Sequence, residues 1–142
     1  MSVPERYWRF PTEAAIEALA ARFGLRAEPW MLGDWEHLVG DPGRIGEFLA
    51  ALEADDLSDD ERFALSEVVM QSFEDGDDAR DVSAMPEWQR FVSLLRARPK
   101  LHAFTLCYWS APDPTLAWFR VSPLVRPLWI ELEPEVVREM GR

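Results

Sequence analysis

The sequence has little of the chemistry that usually marks a catalytic or metal site. It contains one cysteine, Cys107, and two histidines, His37 and His102. A single cysteine excludes an intrachain disulfide and the clusters of Cys and His that hold zinc, and it fits a reducing compartment. The phosphate-binding patterns GxGxxG and GxxxxGK[ST] are absent. We therefore expect no catalytic residue, no metal and no cofactor.

Long hydrophobic runs are also missing. No apolar run approaches the roughly 20 residues that a membrane-spanning helix requires. The first residues, MSVPERYWRF, lack the apolar segment of a signal peptide. These two absences predict a cytoplasmic protein that does not enter a membrane. A length of 142 residues favours a single domain over residues 1–142, with a core large enough to fold without disulfides.

Positive charge is scarce, and the negative charge is concentrated in one part of the chain. The net charge is −11, and Lys100 is the only lysine. Residues 53–81 contain twelve acids but only Arg62 and Arg80 as basic residues. Such a field repels nucleic acids and anionic membranes, whereas it speeds the encounter with basic proteins. The charge distribution therefore predicts a basic protein partner and no nucleic acid.

Residues 57–78 predict the helix around which the rest of the chain is organised. Ser58 and Glu61 have the spacing of a capping box, in which each side chain bonds the backbone N–H of the other residue. Leu65, Val69 and Phe73 recur at the spacing of one helical face. The opposite face carries acids and is expected to meet solvent.

The C-terminus of this helix carries acids, which the helix dipole disfavours. Glu74, Asp75, Asp77 and Asp78 lie at its C-terminus, where the helix dipole disfavours negative charge by about 0.3–1 kcal/mol for each acid. Gly76 is the expected left-handed stop. The loop lacks the ligand spacing of an EF-hand, so no calcium site is predicted. Locally unfavourable choices of this kind are typical of functional positions.

Three further helices are predicted from their caps and periodicity. The first begins at Thr12 and ends at Gly24, the second begins at Asp41-Pro42, and the third covers residues 84–98. Pro134 is expected to open a short last helix that ends near Gly141.

Apolar and aromatic runs predict strands at both ends of the sequence. Residues 101–110 are apolar on both alternating faces and favour a central strand, on which His102 and Cys107 would point in opposite directions. The other candidate strands are residues 6–10, 118–121 and 128–132, and a hairpin of residues 25–30 and 34–39. The predicted fold is α+β, with a small mixed or antiparallel sheet packed against about four helices. The alternative is an all-α fold with extended arms.

The seven tryptophans permit two interpretations. Trp30 and Trp35 flank a Gly-containing turn, where exposed rings beside acids would form a protein-binding surface. In the other interpretation, the tryptophans simply cover the small sheet. The predicted partner-binding set combines these two rings with the acids near the organising helix: Asp55, Asp56, Asp59, Asp60, Glu67, Glu74, Asp75, Asp77, Asp78, Trp30 and Trp35.

In size, acidity and tryptophan content the sequence resembles the bacterial immunity proteins and antitoxins that block nuclease-like toxins. The resemblance is one of class, covers no aligned motif and transfers no residues. It implies a non-enzymatic protein that neutralises a basic partner. Two alternatives stay open: a small hydrolase that uses two carboxylates in an aromatic cleft, and a structural protein whose acids serve solubility.

Overall fold

The computed structural model describes residues 3–77, 80–112 and 119–141, and the regular structure in these ranges is entirely helical. The predicted α+β fold with a sheet is therefore wrong. The chain divides into two compact units, residues 10–80 and residues 1–9 with 81–142. The α-helices of the described ranges are α1 Glu13–Phe23, α2 Trp35–Leu38, α3 Ile45–Glu53, α4 Asp59–Glu74, α5 Pro86–Ala97, α6 Ala103–Trp109 and α7 Ser122–Met140.

Helix termini in residues 10–80 follow the local sequence signals. The Thr12 hydroxyl accepts a hydrogen bond from the Ala15 N–H at 3.1 Å and caps α1. Helix α1 ends at Gly24, whose φ of 66° lies in the left-handed region that glycine adopts without a steric penalty. Asp41 accepts from the Gly43 N–H at 2.9 Å and starts a 3₁₀ turn, Pro42–Arg44, that leads directly into α3.

The capping box at the start of α4 is confirmed. The Ser58 hydroxyl accepts from the Glu61 N–H at 3.1 Å, and the Glu61 carboxylate accepts from the Ser58 N–H at 2.8 Å. Asp59 and Asp60 follow in the first turn, where the positive end of the helix dipole favours them. The predicted left-handed stop at Gly76 is wrong, because the residue that caps the C-terminus of α4, Asp75, is right-handed and Gly76 does not have a positive φ.

Helix α4 is the centre of its unit, and α1, α2 and α3 all pack against it. From Arg62 to Phe73 every residue except Gln71 is buried, so the helix has no solvent-facing side over this stretch. Among the buried polar groups, the Ser72 hydroxyl donates to the Val68 carbonyl at 2.7 Å and accepts from the Asp41 N–H of a distant segment at 2.9 Å. The predicted polar face is wrong between Arg62 and Phe73, because neighbouring segments cover it.

Residues 101–110, predicted as the central strand, form the turn before α6 and then α6 itself. The helix packs against α7, and its buried residues lie on more than one side. A short helix covered in this way shows the same continuous apolar run as a buried strand, so periodicity cannot separate the two. His102 and Cys107 are five positions apart, which turns them about 140° from each other on a helix.

The C-terminal carbonyls of α6 are satisfied by side chains of α7. The Ser122 hydroxyl donates to the Trp109 carbonyl at 2.9 Å, and the Arg126 guanidinium donates to the carbonyls of Ser110 at 3.3 Å and Ala111 at 2.6 Å. A cation at a helix C-terminus also complements the dipole. Helix α7 therefore closes the end of α6 as well as packing on it.

The remaining strand predictions are also wrong where the structure describes them. Residues 6–10 include the end of a 3₁₀ turn, Glu5–Tyr7, and the predicted hairpin is replaced by a 3₁₀ turn, Pro29–Met31, followed by α2. Residues 128–132 lie inside α7, and the candidate strand 118–121 begins outside the described residues. Pro127 and Pro134 do not end α7, because both lie on its exposed side, where water can hydrate the carbonyls that lose a partner.

Candidate functional site

The predicted acids are divided between the two ends of α4. Asp55, Asp56, Asp59 and Asp60 lie at its start and form what we call the N-terminal acidic cluster. Glu74, Asp75 and Asp77 lie at its end and form the C-terminal acidic cluster, whereas Asp78 lies outside the described residues. A helix of 16 residues is about 24 Å long, so the described acids form two separate surfaces instead of one.

The N-terminal acidic cluster is explained by the protein's own stability. Asp59 and Asp60 lie in the first turn of α4, where the dipole favours negative charge. Asp55 accepts from the buried Arg62 guanidinium at 2.5 Å, and Asp56 forms an ion pair with Arg22 at 3.3 Å. Each of these four acids therefore has a structural reason for its position.

The C-terminal acidic cluster has no such explanation from the helix dipole. Glu74 is the last residue of α4 and Asp75 caps it, with the Asp75 N–H donating to the Gln71 carbonyl at 2.9 Å. The last turn contains no basic residue, although a cation is the charge that a helix C-terminus favours. The carboxylates add to the negative potential of the helix end, which makes this the candidate site for a cationic ligand.

The segment 34–40 holds one side of this cluster. Gln71 Nε2 donates to Asp75 Oδ1 at 2.7 Å, and Gln71 Oε1 lies 2.9 Å from His37 Nδ1. The neighbouring Leu38 side chain is 50% exposed. The Asp75 carboxylate is therefore fixed in direction, and a hydrophobic side chain is available on the segment that supports it.

Gly40 approaches the cluster so closely that an added side chain would displace its neighbours. A Cβ atom at this position would lie 2.9 Å from Asp75 Oδ2 and 3.0 Å from Gln71 Cγ. We expect Gly40→Ala to lower the free energy of unfolding by about 1–3 kcal/mol, because the Gln71–Asp75 arrangement must move. The measurement is urea denaturation.

Gly46 provides the matched control for this substitution. It lies in α3, and a Cβ atom there would have no neighbour within 4 Å. Gly46→Ala should therefore raise the free energy of unfolding by about 0.4–1 kcal/mol, because alanine restricts the unfolded chain more than glycine does. Equal effects of the two substitutions would contradict the close approach at Gly40.

Glu36 is a buried acid in the same region. Its residue is 8% exposed, Oε1 lies 3.4 Å from His37 Nε2, and Oε2 has no hydrogen-bond partner. Burial raises the pKa of Glu36, the Asp34 carboxylate raises it further, and the backbone N–H of Glu36 and the His37 ring lower it. Neither the acid's burial nor its contact with His37 follows from a motif, and the only sequence signal is the adjacency of Glu36 and His37.

Two side chains of the predicted partner-binding set are too buried to contact a partner. Trp35 is 0% exposed, and its indole N–H donates to the Arg26 carbonyl at 2.8 Å. Glu67 is 2% exposed, in the buried stretch of α4. Trp30, in contrast, is 68% exposed; its indole N–H bonds Glu28 and the Arg26 guanidinium lies over its ring. Of the two tryptophans, only Trp30 can contact a partner directly.

The lone cysteine, Cys107, is not in an environment that would make its thiol a nucleophile. Cys107 is buried, and burial together with the Glu133 charge raises the pKa of its thiol to about 11. A thiol with this pKa is almost entirely protonated at neutral pH, and the thiolate is the reactive form. Cys107 therefore acts as a small core residue.

An open groove of about 480 Å³ also lies in residues 10–80. It is lined by Arg22, Phe23, Arg44, Glu47, Ala50 and Ala51. Arg44 donates to the Phe23 carbonyl at 2.8 Å and pairs with Glu47, so its guanidinium is engaged within the protein. Glu36, the acid with the raised pKa that a two-carboxylate hydrolase would need, does not line this groove.

The chain has no detected likeness to known proteins. No family model, curated protein or solved structure matches it. In the part of the chain that the structure describes, no group of three or more His, Cys, Asp and Glu side chains is arranged to hold a metal ion. Within the same ranges, no helix combines the length and the hydrophobicity that crossing a membrane requires.

Proposed function

We propose that this protein binds a basic protein partner through the C-terminal acidic cluster. The observation that carries the proposal is the position of Glu74, Asp75 and Asp77 at the negative end of α4. The carboxylates and the terminal carbonyls of a helix both attract cations, so an arginine or lysine of a partner would interact with both. In its narrower form, the proposal is that the protein inhibits a basic enzyme, as immunity proteins do.

The energetic argument compares the two ends of one helix. At the start of α4, acids stabilise the fold, and selection for stability alone would keep them. At its end, each acid opposes the dipole by about 0.3–1 kcal/mol. A stability cost that is repeated at neighbouring positions is typical of a binding site.

The rest of the acidic charge has a different role in this proposal. The net charge of −11 attracts a basic partner over a distance of about one Debye length, roughly 8 Å at physiological ionic strength. The N-terminal acidic cluster contributes to this long-range field but makes few contacts of its own with the partner. Leu38 and Trp30 are among the exposed apolar side chains that a bound partner could contact.

Affinity capture with two matched variants tests the proposal. The first variant, Glu74→Gln/Asp75→Asn/Asp77→Asn, removes three charges from the C-terminal acidic cluster. The second, Asp56→Asn/Asp59→Asn/Asp60→Asn, removes three from the N-terminal acidic cluster. From a lysate of the source organism at low salt, we expect the wild type and the second variant to retain the same basic protein. The first variant should not retain it, and its affinity for the purified partner should be lower by a factor of at least about 100.

Because both variants have the same net charge, a non-specific effect of charge would weaken them equally. Equal retention of the partner by all three proteins would show that the C-terminal acidic cluster is not the docking site. If the purified partner is an enzyme, its inhibition by the wild type and not by the first variant would support the immunity-type interpretation.

A further inference from the structure

Helix α7 is apolar on two sides, and one of these sides faces solvent. The buried residues of the helix pack within their own unit, where α6 is a neighbour. On the other side, Ile130 is 67% exposed and Val137 is 47% exposed. Two exposed prolines complete this row, which we call the outer stripe: Pro127, Ile130, Pro134 and Val137. Contiguous apolar rows on the surface of a folded protein are typical of interaction sites.

The spacing of the outer stripe is that of a coiled-coil seam. Its positions are three, four and three residues apart, so Pro127 and Pro134 are a positions of a heptad and Ile130 and Val137 are d positions. The stripe extends about 15 Å along the helix and can meet one other helix over this length. Each proline leaves the carbonyl four residues earlier without a helical donor, so the interface must retain water there, as interfaces commonly do.

The charges beside the outer stripe indicate which helix it fits. Arg126 and Glu133 are the g positions on one flank, and Glu131 and Arg138 are the e positions on the other flank. When two such helices lie parallel, each g residue faces the e residue of the following heptad on the other helix. In a parallel pair of α7 helices, Arg126 would face Glu131 of the second copy, and Glu133 would face Arg138. Each of these charges therefore meets its opposite.

Three of these four charges are fixed in place by bonds within their own chain. The Arg126 guanidinium donates to two carbonyls at the end of α6. The Glu133 carboxylate accepts from the Tyr7 hydroxyl at 2.9 Å, and Glu131 forms an exposed ion pair with Arg96. These bonds retain the charges and restrict their side chains, so association costs less side-chain entropy than it would for mobile charges.

We propose that the outer stripe binds the outer stripe of a second copy of this chain, in a parallel pair of α7 helices. The proposal does not rest on the C-terminal acidic cluster, which belongs to the other compact unit. An antiparallel pair would place Ile130 against Pro134 of the second copy. It would also bring the two copies of Glu133 together beside the symmetry axis, and like charges oppose this arrangement.

The association is expected to be weak. The stripe is short, and the net charge of −11 on each copy opposes pairing. We expect a dissociation constant of about 10–100 µM at about 0.15 M salt. Sedimentation equilibrium of the full chain from about 5 to about 500 µM should therefore show a change from monomer to dimer. A protein that remains monomeric over this range would overturn the proposal.

Ile130→Glu tests the stripe directly, because it places a charge in the middle of the apolar contact. We expect the dissociation constant to rise at least about tenfold. Leu38→Glu is the matched control: it also replaces an exposed apolar side chain by an acid, but it lies in the other unit. Leu38→Glu should leave the dissociation constant unchanged. A dimer that both variants retain, or that both weaken equally, would overturn the proposal.

Arg138→Glu tests the flanking charges, because it places two acids opposite each other in each Glu133–Arg138 contact. We expect the dissociation constant to rise about fivefold. Arg80→Glu is the control, since Arg80 is exposed, lies in the other unit and gives the same change in net charge. Equal effects of the two substitutions would mean that charge does not select a second copy as the partner.

Disulfide cross-linking tests the parallel direction. In a parallel pair, residue 137 faces its own copy at a d layer, so Val137→Cys should form an interchain disulfide under mild oxidation by copper phenanthroline. In an antiparallel pair, the two copies of residue 137 would lie about 15 Å apart along the helix. Glu135→Cys, exposed on α7 beside the stripe, is the control, and the native Cys107 is buried. A dimer that does not cross-link through Val137→Cys would overturn the parallel pair.

Discussion

Trp35→Ala is expected to lower the free energy of unfolding by about 3–5 kcal/mol, a large part of the stability of a small protein. The Trp35 ring is fully buried, so its removal leaves a cavity. The substitution also leaves the Arg26 carbonyl without the indole N–H that bonds it at 2.8 Å. Urea denaturation followed by far-UV circular dichroism measures the effect.

Trp30→Ala is the matched control, because Trp30 is exposed and lies only five residues away. It should change the free energy of unfolding by about 0.5 kcal/mol or less. If Trp35→Ala does not fold, Trp35→Phe keeps most of the ring and loses the N–H, with an expected loss of about 1–2 kcal/mol. Similar losses at positions 30 and 35 would contradict the burial of Trp35.

The two acid-neutralising triple variants are expected to change stability in opposite directions. Removal of the charges at the C-terminal acidic cluster should raise the free energy of unfolding by about 1–2 kcal/mol, because the unfavourable interaction with the α4 dipole is relieved. Removal at the N-terminal acidic cluster should lower it by about 1–3 kcal/mol, because the dipole interaction and the Arg22–Asp56 pair are both lost.

Thermal unfolding at low salt measures the difference, which should shrink as salt screens the exposed charges. The C-terminal variant would then be more stable than the wild type and defective in binding, the combination expected when residues are kept for function. A loss of stability in both variants would remove the energetic argument for the docking site.

Together, the two predictions separate side chains that the sequence presented as equivalent. Trp30 and Trp35 both flank Gly33, and Asp59 and Asp75 both belong to one acidic region. Their different roles depend on burial and on the end of the helix at which each lies. The sequence therefore identified the candidate residues. Which of them are exposed, and at which end of α4 each lies, became known only from the structure.

The sequence by itself determined the local features of the fold and the overall charge. The capping box of Ser58 and Glu61, the Thr12 cap and the Gly24 stop each depend on atoms within a few residues of one another, so short sequence patterns specify them. The concentration of acids in residues 53–81 is likewise a property of the sequence alone.

Tertiary structure alone decided which surfaces are covered. Residues 101–110 are largely apolar and are compatible with a strand or a buried helix, and packing against α7 accompanies the helical form. Glu67 and Trp35 are buried because segments distant in sequence pack around them, and Glu36 meets His37 beside Gln71 for the same reason. The burial of a side chain depends on all of its contacts with residues far away in the sequence, and a short sequence pattern does not specify those contacts.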